Sequence, residues 1–168
     1  MNKILVLGNS GAGKSSFTRE LADILKYDYI HLDTIVYQQS WDQPHFKEME
    51  EYIQVILKKD NWIIDGNFLN NAQERFEQCD TIFFLDINRF TCLFSALFRN
   101  YKYKGKYRES RNVNCDEKIT KSYLKWIFVD FYKTSRIKIY DIINKNQDKQ
   151  IIVFKNRKAI KKYLKGMK

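Results

Sequence analysis

Proline is nearly absent from this 168-residue chain, cysteine is scarce and odd in number, and no long apolar run occurs. The single proline, Pro44, comes with no Gly/Ser-rich linker, repeat or low-complexity tract, so nothing marks a hinge between domains. Residues 1–168 therefore read as one domain, because a chain of this length buries roughly 70% of its unfolded surface and is too short for two ordinary domains. Cys79, Cys92 and Cys115 are widely spaced and lack nearby paired histidines, which argues against a disulfide framework and a zinc site. Spanning a bilayer takes about 20 consecutive apolar residues, which are missing. The N-terminus runs straight into a strand, so a cytoplasmic protein without a membrane partner is expected. Negative charge is also in short supply: 30 Lys and Arg face 20 Asp and Glu, a formal net charge of +10. Such a balance favours polyanionic partners, a demand that nucleotide phosphates meet as readily as nucleic acid does.

What is present is a phosphate-binding pattern. Gly8-Asn9-Ser10-Gly11-Ala12-Gly13-Lys14-Ser15, followed by Ser16, fits G-x-x-x-x-G-K-[ST] at every specified position. Glycines let successive N–H groups curl toward an anion, the lysine reaches β- and γ-phosphates, and the hydroxyl ligates Mg²⁺. The context is the one this mechanism requires. Ile4 to Leu7 is a continuous apolar run suited to a buried strand, and Phe17, Leu21, Ile24 and Leu25 recur at helical spacing after the loop.

Further along, Tyr27 to His31 is expected to form a second strand ending at Asp33, and Pro44 to open a helix with Phe46, Met49, Tyr52, Ile53, Ile56 and Leu57. Trp62-Ile63-Ile64 predicts a buried strand feeding Asp65-Gly66-Asn67, then a short helix holds Leu69, Ala72 and Phe76. Thr81 to Leu85 predicts a fourth strand ending at Asp86, with Asn88 placed to cap a helix whose apolar face is Phe90, Leu93, Phe94, Leu97 and Phe98. A basic, tyrosine-bearing segment is expected to act as a flap over about 99–116. From Asp116 one long helix is expected through Tyr123, Ile127 and Tyr140 toward Ile143, before a fifth strand at Gln150 to Phe154 and a closing helix. Short apolar strands separated by helices predict an α/β doubly wound fold, with ligands at the carboxyl ends of the strands.

Phosphoryl transfer needs cations and Mg²⁺ ligands more than covalent chemistry. Lys14 supplies charge and Ser15 a metal ligand; Asp65 and Asp86 compete to supply the carboxylate, with Asp65 preferred because Gly66 leaves room beside it. The plain alternative for either is a turn residue or helix cap. Asp33 is the candidate base or acceptor anchor, with Trp41, Asn67 and Arg75 around an acceptor pocket. Arg99, Arg108 and, from the long helix, Arg136 are candidate clamps on the donor phosphates. The lid's alternation of cations and aromatics equally suits stacked bases of single-stranded nucleic acid, or plain solvated surface. Asn156 and Arg157 either line an adenine site or, for Asn156, cap the last helix.

The order of these motifs resembles the DNA topology modulation proteins. It runs from the phosphate loop through His31-Leu32-Asp33, Trp41, Trp62 to Asn67, Leu85-Asp86 with Arg89, and a basic lid leading into Leu124-Lys125-Trp126. These are small P-loop proteins related to adenylate and shikimate kinases, and the resemblance covers nearly the whole chain. It implies an adenylate-kinase-like five-stranded parallel sheet, order 2-3-1-4-5, flanked by helices on both faces and carrying a mobile lid between the fourth and fifth strands. It further implies an ATP- and Mg²⁺-dependent kinase acting on a nucleoside, nucleotide or hydroxylated metabolite. Adenylate kinases carry an arginine in the turn that here reads Asp65-Gly66-Asn67-Phe68-Leu69, and its lack argues against an AMP acceptor. The alternatives are a nucleotide-dependent nucleic-acid-binding protein and an NTPase switch whose acceptor is water.

Overall fold

Five apolar runs become five parallel strands: β1 (Lys3–Gly8), β2 (Tyr29–His31), β3 (Trp62–Asp65), β4 (Thr81–Leu85) and β5 (Gln150–Phe154). The computed structural model describes residues 1–36, 45–103 and 119–168. The sheet order is β2-β3-β1-β4-β5, as expected. β1 lies at its centre, with Val6 paired to Asp65 on one side and Gly8 to Leu85 on the other. Alternation along β1 sorts its side chains onto two faces. Leu5 and Leu7 join a core with Met49, Ile53, Ile64, Phe84 and Phe131, whereas Ile4 and Val6 join Phe17, Leu21, Phe83, Cys92 and Ile160 on the opposite face. Both faces are covered, which is why the strands read as unbroken apolar runs.

The helices that close these faces are α1 (Lys14–Leu25), α2 (Leu32–Val36), α3 (Phe46–Leu57), α4 (Gln73–Gln78), α5 (Arg89–Tyr103), α6 (Lys121–Lys125), α7 (Phe131–Lys133), α8 (Ser135–Lys145) and α9 (Arg157–Gly166). A 3₁₀ turn spans Leu69–Asn71 and a π-helical turn Trp126–Asp130. No described helix is long and apolar enough to cross a membrane.

Three expectations need correction. Asp33 does not end β2: the strand stops at His31, Thr34 Oγ1 donates to the His31 carbonyl at 2.6 Å, and Asp33 falls in the first turn of α2. The long helix is interrupted twice. It starts after Thr120, whose hydroxyl accepts from the Tyr123 N–H; widens into the π turn; and breaks at Thr134, where φ is −125° and ψ −79°. The face of α5 is largely the reverse of the one expected, and of that face only Leu93 packs against the core. Cys92 and Ala96 are buried, whereas Phe90, Phe94, Leu97 and Phe98 are exposed. The reason is space: a Cβ added to Gly11 would stand 2.2 Å from the Cys92 carbonyl oxygen, so the phosphate loop and α5 touch backbone to backbone. Only small side chains fit along that contact. The expected openings at Asp116 and Pro44 themselves lie outside the described residues, within which α6 begins at Lys121 and α3 at Phe46.

Candidate active site

The phosphate loop links β1 to α1, and its shape is set by backbone that only glycine adopts readily. Gly11 has φ +78° and Gly13 φ +100°. A Cβ added to Gly13 would meet nothing within 4 Å, unlike one on Gly11, so left-handed backbone and not crowding is the constraint there. The loop is bolted to its surroundings at several points. Asn67 exchanges a pair of hydrogen bonds with Gly8: the Gly8 N–H donates to Oδ1 at 3.1 Å and Nδ2 donates to the Gly8 carbonyl at 3.0 Å. The fully buried Asn9 donates from Nδ2 to the Ile127 carbonyl in the π turn at 2.7 Å. From the far end of the chain, Arg157 Nη2 donates to the Gly11 carbonyl at 2.8 Å and to Ser95 Oγ at 2.6 Å. Ala12 turns inward, its N–H donating to the Asn9 carbonyl at 3.1 Å.

Lys14 and Ser15 open α1, with the exposed Ser16 next in line. The Lys14 ammonium reaches back to the Asn9 carbonyl at 3.4 Å, which keeps it over the loop. Asp65 ends β3 between Val6 and His31 and is only 4% exposed. His31 Nδ1 lies 2.7 Å from Asp65 Oδ2, while Oδ1 is buried without a hydrogen-bond partner. A buried carboxylate oxygen without a donor is costly unless a cation completes it. This oxygen and the Ser15 hydroxyl are both hard oxygen donors, the chemistry that Mg²⁺ takes. Among the described residues no cluster of three or more His, Cys, Asp or Glu side chains could hold a metal, so a cation here would draw its other ligands from phosphate and water.

Asp33 is solvent-accessible, yet protein atoms crowd it closely. That desolvation raises its carboxyl above the ordinary carboxylate value; Lys14 opposes the rise, Asp65 adds to it, and Arg99 and His31 oppose it. Lys14, Asp33, Asp65, His31 and Arg99 therefore occupy one electrostatic neighbourhood. Arg99 is fixed there by Tyr123. Its Nη2 donates to the Tyr123 hydroxyl at 2.8 Å, and that hydroxyl lies 2.6 Å from Ser10 Oγ in the phosphate loop.

Other candidates are placed elsewhere. Asp86 is not free to hold a metal: Arg136 forks onto it through Nε and Nη2 at 2.7 and 2.8 Å, Tyr140 donates at 2.7 Å, and Lys155 at 2.6 Å. Burial alone would raise Asp86, but the bonds from Arg136, Lys155 and Tyr140 hold its carboxyl down at about 2. Arg136, read from the sequence as a phosphate clamp, is thus committed to Asp86, because a carboxylate buried at a strand end demands a bidentate partner. Asn67, expected beside the acceptor, has both its side-chain oxygen and nitrogen bonded to Gly8. Arg75 is 2% exposed and donates to the Phe68 carbonyl at 2.7 Å, and burial pushes its guanidinium down to about 10. It braces the left-handed Phe68 in the turn after β3. Asn156 caps α9 by accepting from the Ala159 N–H at 2.9 Å, and Arg157 braces the loop. Trp41, Arg108 and residues 104–116 of the lid lie outside the described residues, and the lid's first residues, from Arg99, continue α5. Sequence reasoning passed over His31 and Tyr123, because one histidine and one tyrosine carry no spacing signal of their own.

No protein-family model and no curated protein matches the sequence. Solved structures do match in three dimensions. A shikimate kinase from Acinetobacter baumannii in complex with shikimate superposes with a TM-score of 0.64 at 13% identity, covering 99% of this chain and 90% of that one. A shikimate kinase from Bacteroides thetaiotaomicron gives 0.59 at 14% identity, covering 98% and 94%. Deoxyadenosine kinase from M. mycoides, with dCMP and dCDP bound, gives 0.53 at 17% identity, covering 98% and 95%. The parallel sheet in the order 2-3-1-4-5, closed by helices on both faces, is the P-loop fold of the adenylate and shikimate kinases.

Proposed function

We propose that the protein is a Mg²⁺-dependent phosphotransferase that moves the γ-phosphoryl group of ATP to a hydroxyl of a small acceptor. The observation that carries this reading is the single electrostatic neighbourhood of Lys14, Asp33, Asp65 and Arg99 beside the phosphate loop. In the proposed reaction the acceptor oxygen bonds to the γ-phosphorus, the bond from that phosphorus to the β,γ-bridging oxygen breaks, and ADP leaves. Asp33 takes the hydroxyl proton, a role that its raised basicity suits. Loop N–H groups and Lys14 hold the β- and γ-phosphates, and Arg99 meets charge on the transferred group. Mg²⁺ held by Ser15 and Asp65 would neutralise phosphate charge, and His31 orients the Asp65 carboxylate for it.

A hydroxylated metabolite or nucleoside is the proposed acceptor, a reading supported by matched kinases whose structures hold shikimate in one case and dCMP and dCDP in another. Membership in the DNA topology modulation family is part of this proposal and rests on the order of motifs alone.

The test is ATP turnover with Mg²⁺ against a panel of nucleosides, nucleotides and hydroxylated acids, with phosphorylated product identified by mass. Lys14→Ala is expected to lower turnover on the order of a thousandfold while leaving the fold intact. Turnover without any acceptor, unchanged across the panel, would leave a hydrolytic switch instead. Absence of both ATP binding and Lys14-dependent turnover defeats the proposal.

A further inference from the structure

One face of α5 is apolar, exposed and regularly spaced. Phe90, Phe94, Leu97 and Tyr101 follow one another at intervals of 4, 3 and 4 residues and are 55%, 65%, 37% and 82% exposed, with Phe98 beside them at 66%. These five side chains present about 600 Å² of accessible surface, at the upper end of the largest apolar patch on an ordinary monomer. The opposite face of the same helix is pressed against the phosphate loop through Cys92 and cannot rotate to bury them.

We infer that this face is a dimer interface and that its occupant is α5 of a second copy of the chain. Intervals of 4, 3 and 4 are those of a helix-to-helix seam, in which each side chain fits between residues of a facing helix. They also read the same in both directions. An antiparallel two-fold pairing sets Phe90 against Tyr101 and Phe94 against Leu97 of the second copy, so one patch is complementary to itself. The size is right: the seam supplies most of the roughly 800 Å² that each partner contributes to a standard interface, and the rim supplies the rest.

Charge argues against an anionic membrane surface as the occupant. Arg89 lies over the rings of Phe128 and Tyr132, 5.4 and 4.6 Å from their centroids, and Arg99 turns toward Tyr123. Of the cations on α5 only Lys102, at its end, is exposed, whereas a membrane-binding helix flanks its apolar face with outward lysines and arginines.

Sedimentation velocity of the full chain between about 1 and about 100 µM tests the inference. The wild type is expected at twice the mass of one chain. Phe94→Glu puts a charge in the middle of the seam and is expected to weaken the dimer on the order of a hundredfold or more, giving single chains with an unchanged circular dichroism spectrum. If that variant does not fold, Tyr101→Glu, at the most exposed position of the seam, gives the same reading. Val55→Glu, at an exposed position on α3, is expected to leave the dimer intact. A wild type that stays single at the highest concentration overturns the inference, whether or not it sediments with phosphatidylglycerol vesicles. So does a dimer that survives both α5 substitutions.

Discussion

Asp33 and Asp65 sit close enough to feel each other's charge, yet their surroundings differ. Asp65 is buried with one oxygen on His31, whereas Asp33 is accessible, carries a raised carboxyl, and has Lys14 and Arg99 within electrostatic reach. A base must be ionised to accept a proton, so a raised value moves the acid limb of the rate profile upward. Under the proposed mechanism, kcat/KM is expected to fall as pH drops through a value above that of an ordinary aspartate. Asp33→Asn should remove that limb and lower kcat by about 10²- to 10⁴-fold. A pH–rate series on both proteins checks this, and an acid limb that persists in the variant assigns the base elsewhere. His31 acts one step back: its contact with one Asp65 oxygen leaves the other without a partner, an arrangement that position in sequence does not announce.

At the scale of elements, the phosphate loop is held by the helices around it as much as by its own glycines. Gly11→Ala would force a Cβ to 2.2 Å from the Cys92 carbonyl on top of left-handed backbone strain, an expected loss of about 3 kcal/mol or more. Gly13→Ala meets open space and carries only the strain, about 1 kcal/mol. Urea midpoints of the two variants should therefore separate clearly, and equal losses would contradict the close approach of loop and α5. The same approach explains where sequence reading failed. β1, β3, β4, β5, α1, α3 and α9 were legible because continuous apolar runs and helical stripes report burial on the sheet. In α5 the periodicity was visible but its sense was not, since large residues point out wherever a backbone leaves room only for Cys92 and Ala96. The break at Thr134 was equally hidden. There a threonine hydroxyl donates to the Asp130 carbonyl at 2.7 Å, a contact that apolar spacing does not encode. At the site, the loop and the strand-end carboxylates could be read directly, whereas the roles of Asn67, Arg75 and Arg136 depended on which partner lay nearest in space.

Across the whole molecule, Asp86 joins the ends of β4 and β5 to α8 through Arg136, Tyr140 and Lys155. Its folded value near 2 lies below the unfolded 3.8, so its contribution is fully present above about pH 4 and is lost as pH falls through about 2. The shift corresponds to about 2 kcal/mol. Thermal melts between these limits should show the wild type losing stability more steeply than Asp86→Asn, which starts lower and changes less. Parallel curves would mean that the cluster adds nothing to acid sensitivity.

Arg157 reaches across 146 positions to the Gly11 carbonyl. Translation makes the loop well before its brace, which lies beyond β5 at the start of α9. The loop's own residues are thus synthesised long before this brace on them. A growing chain halted before Arg157 would carry the whole phosphate motif and lack this clasp on it. Under the proposed function, nucleotide capture would gain this clasp only after α9 has been made.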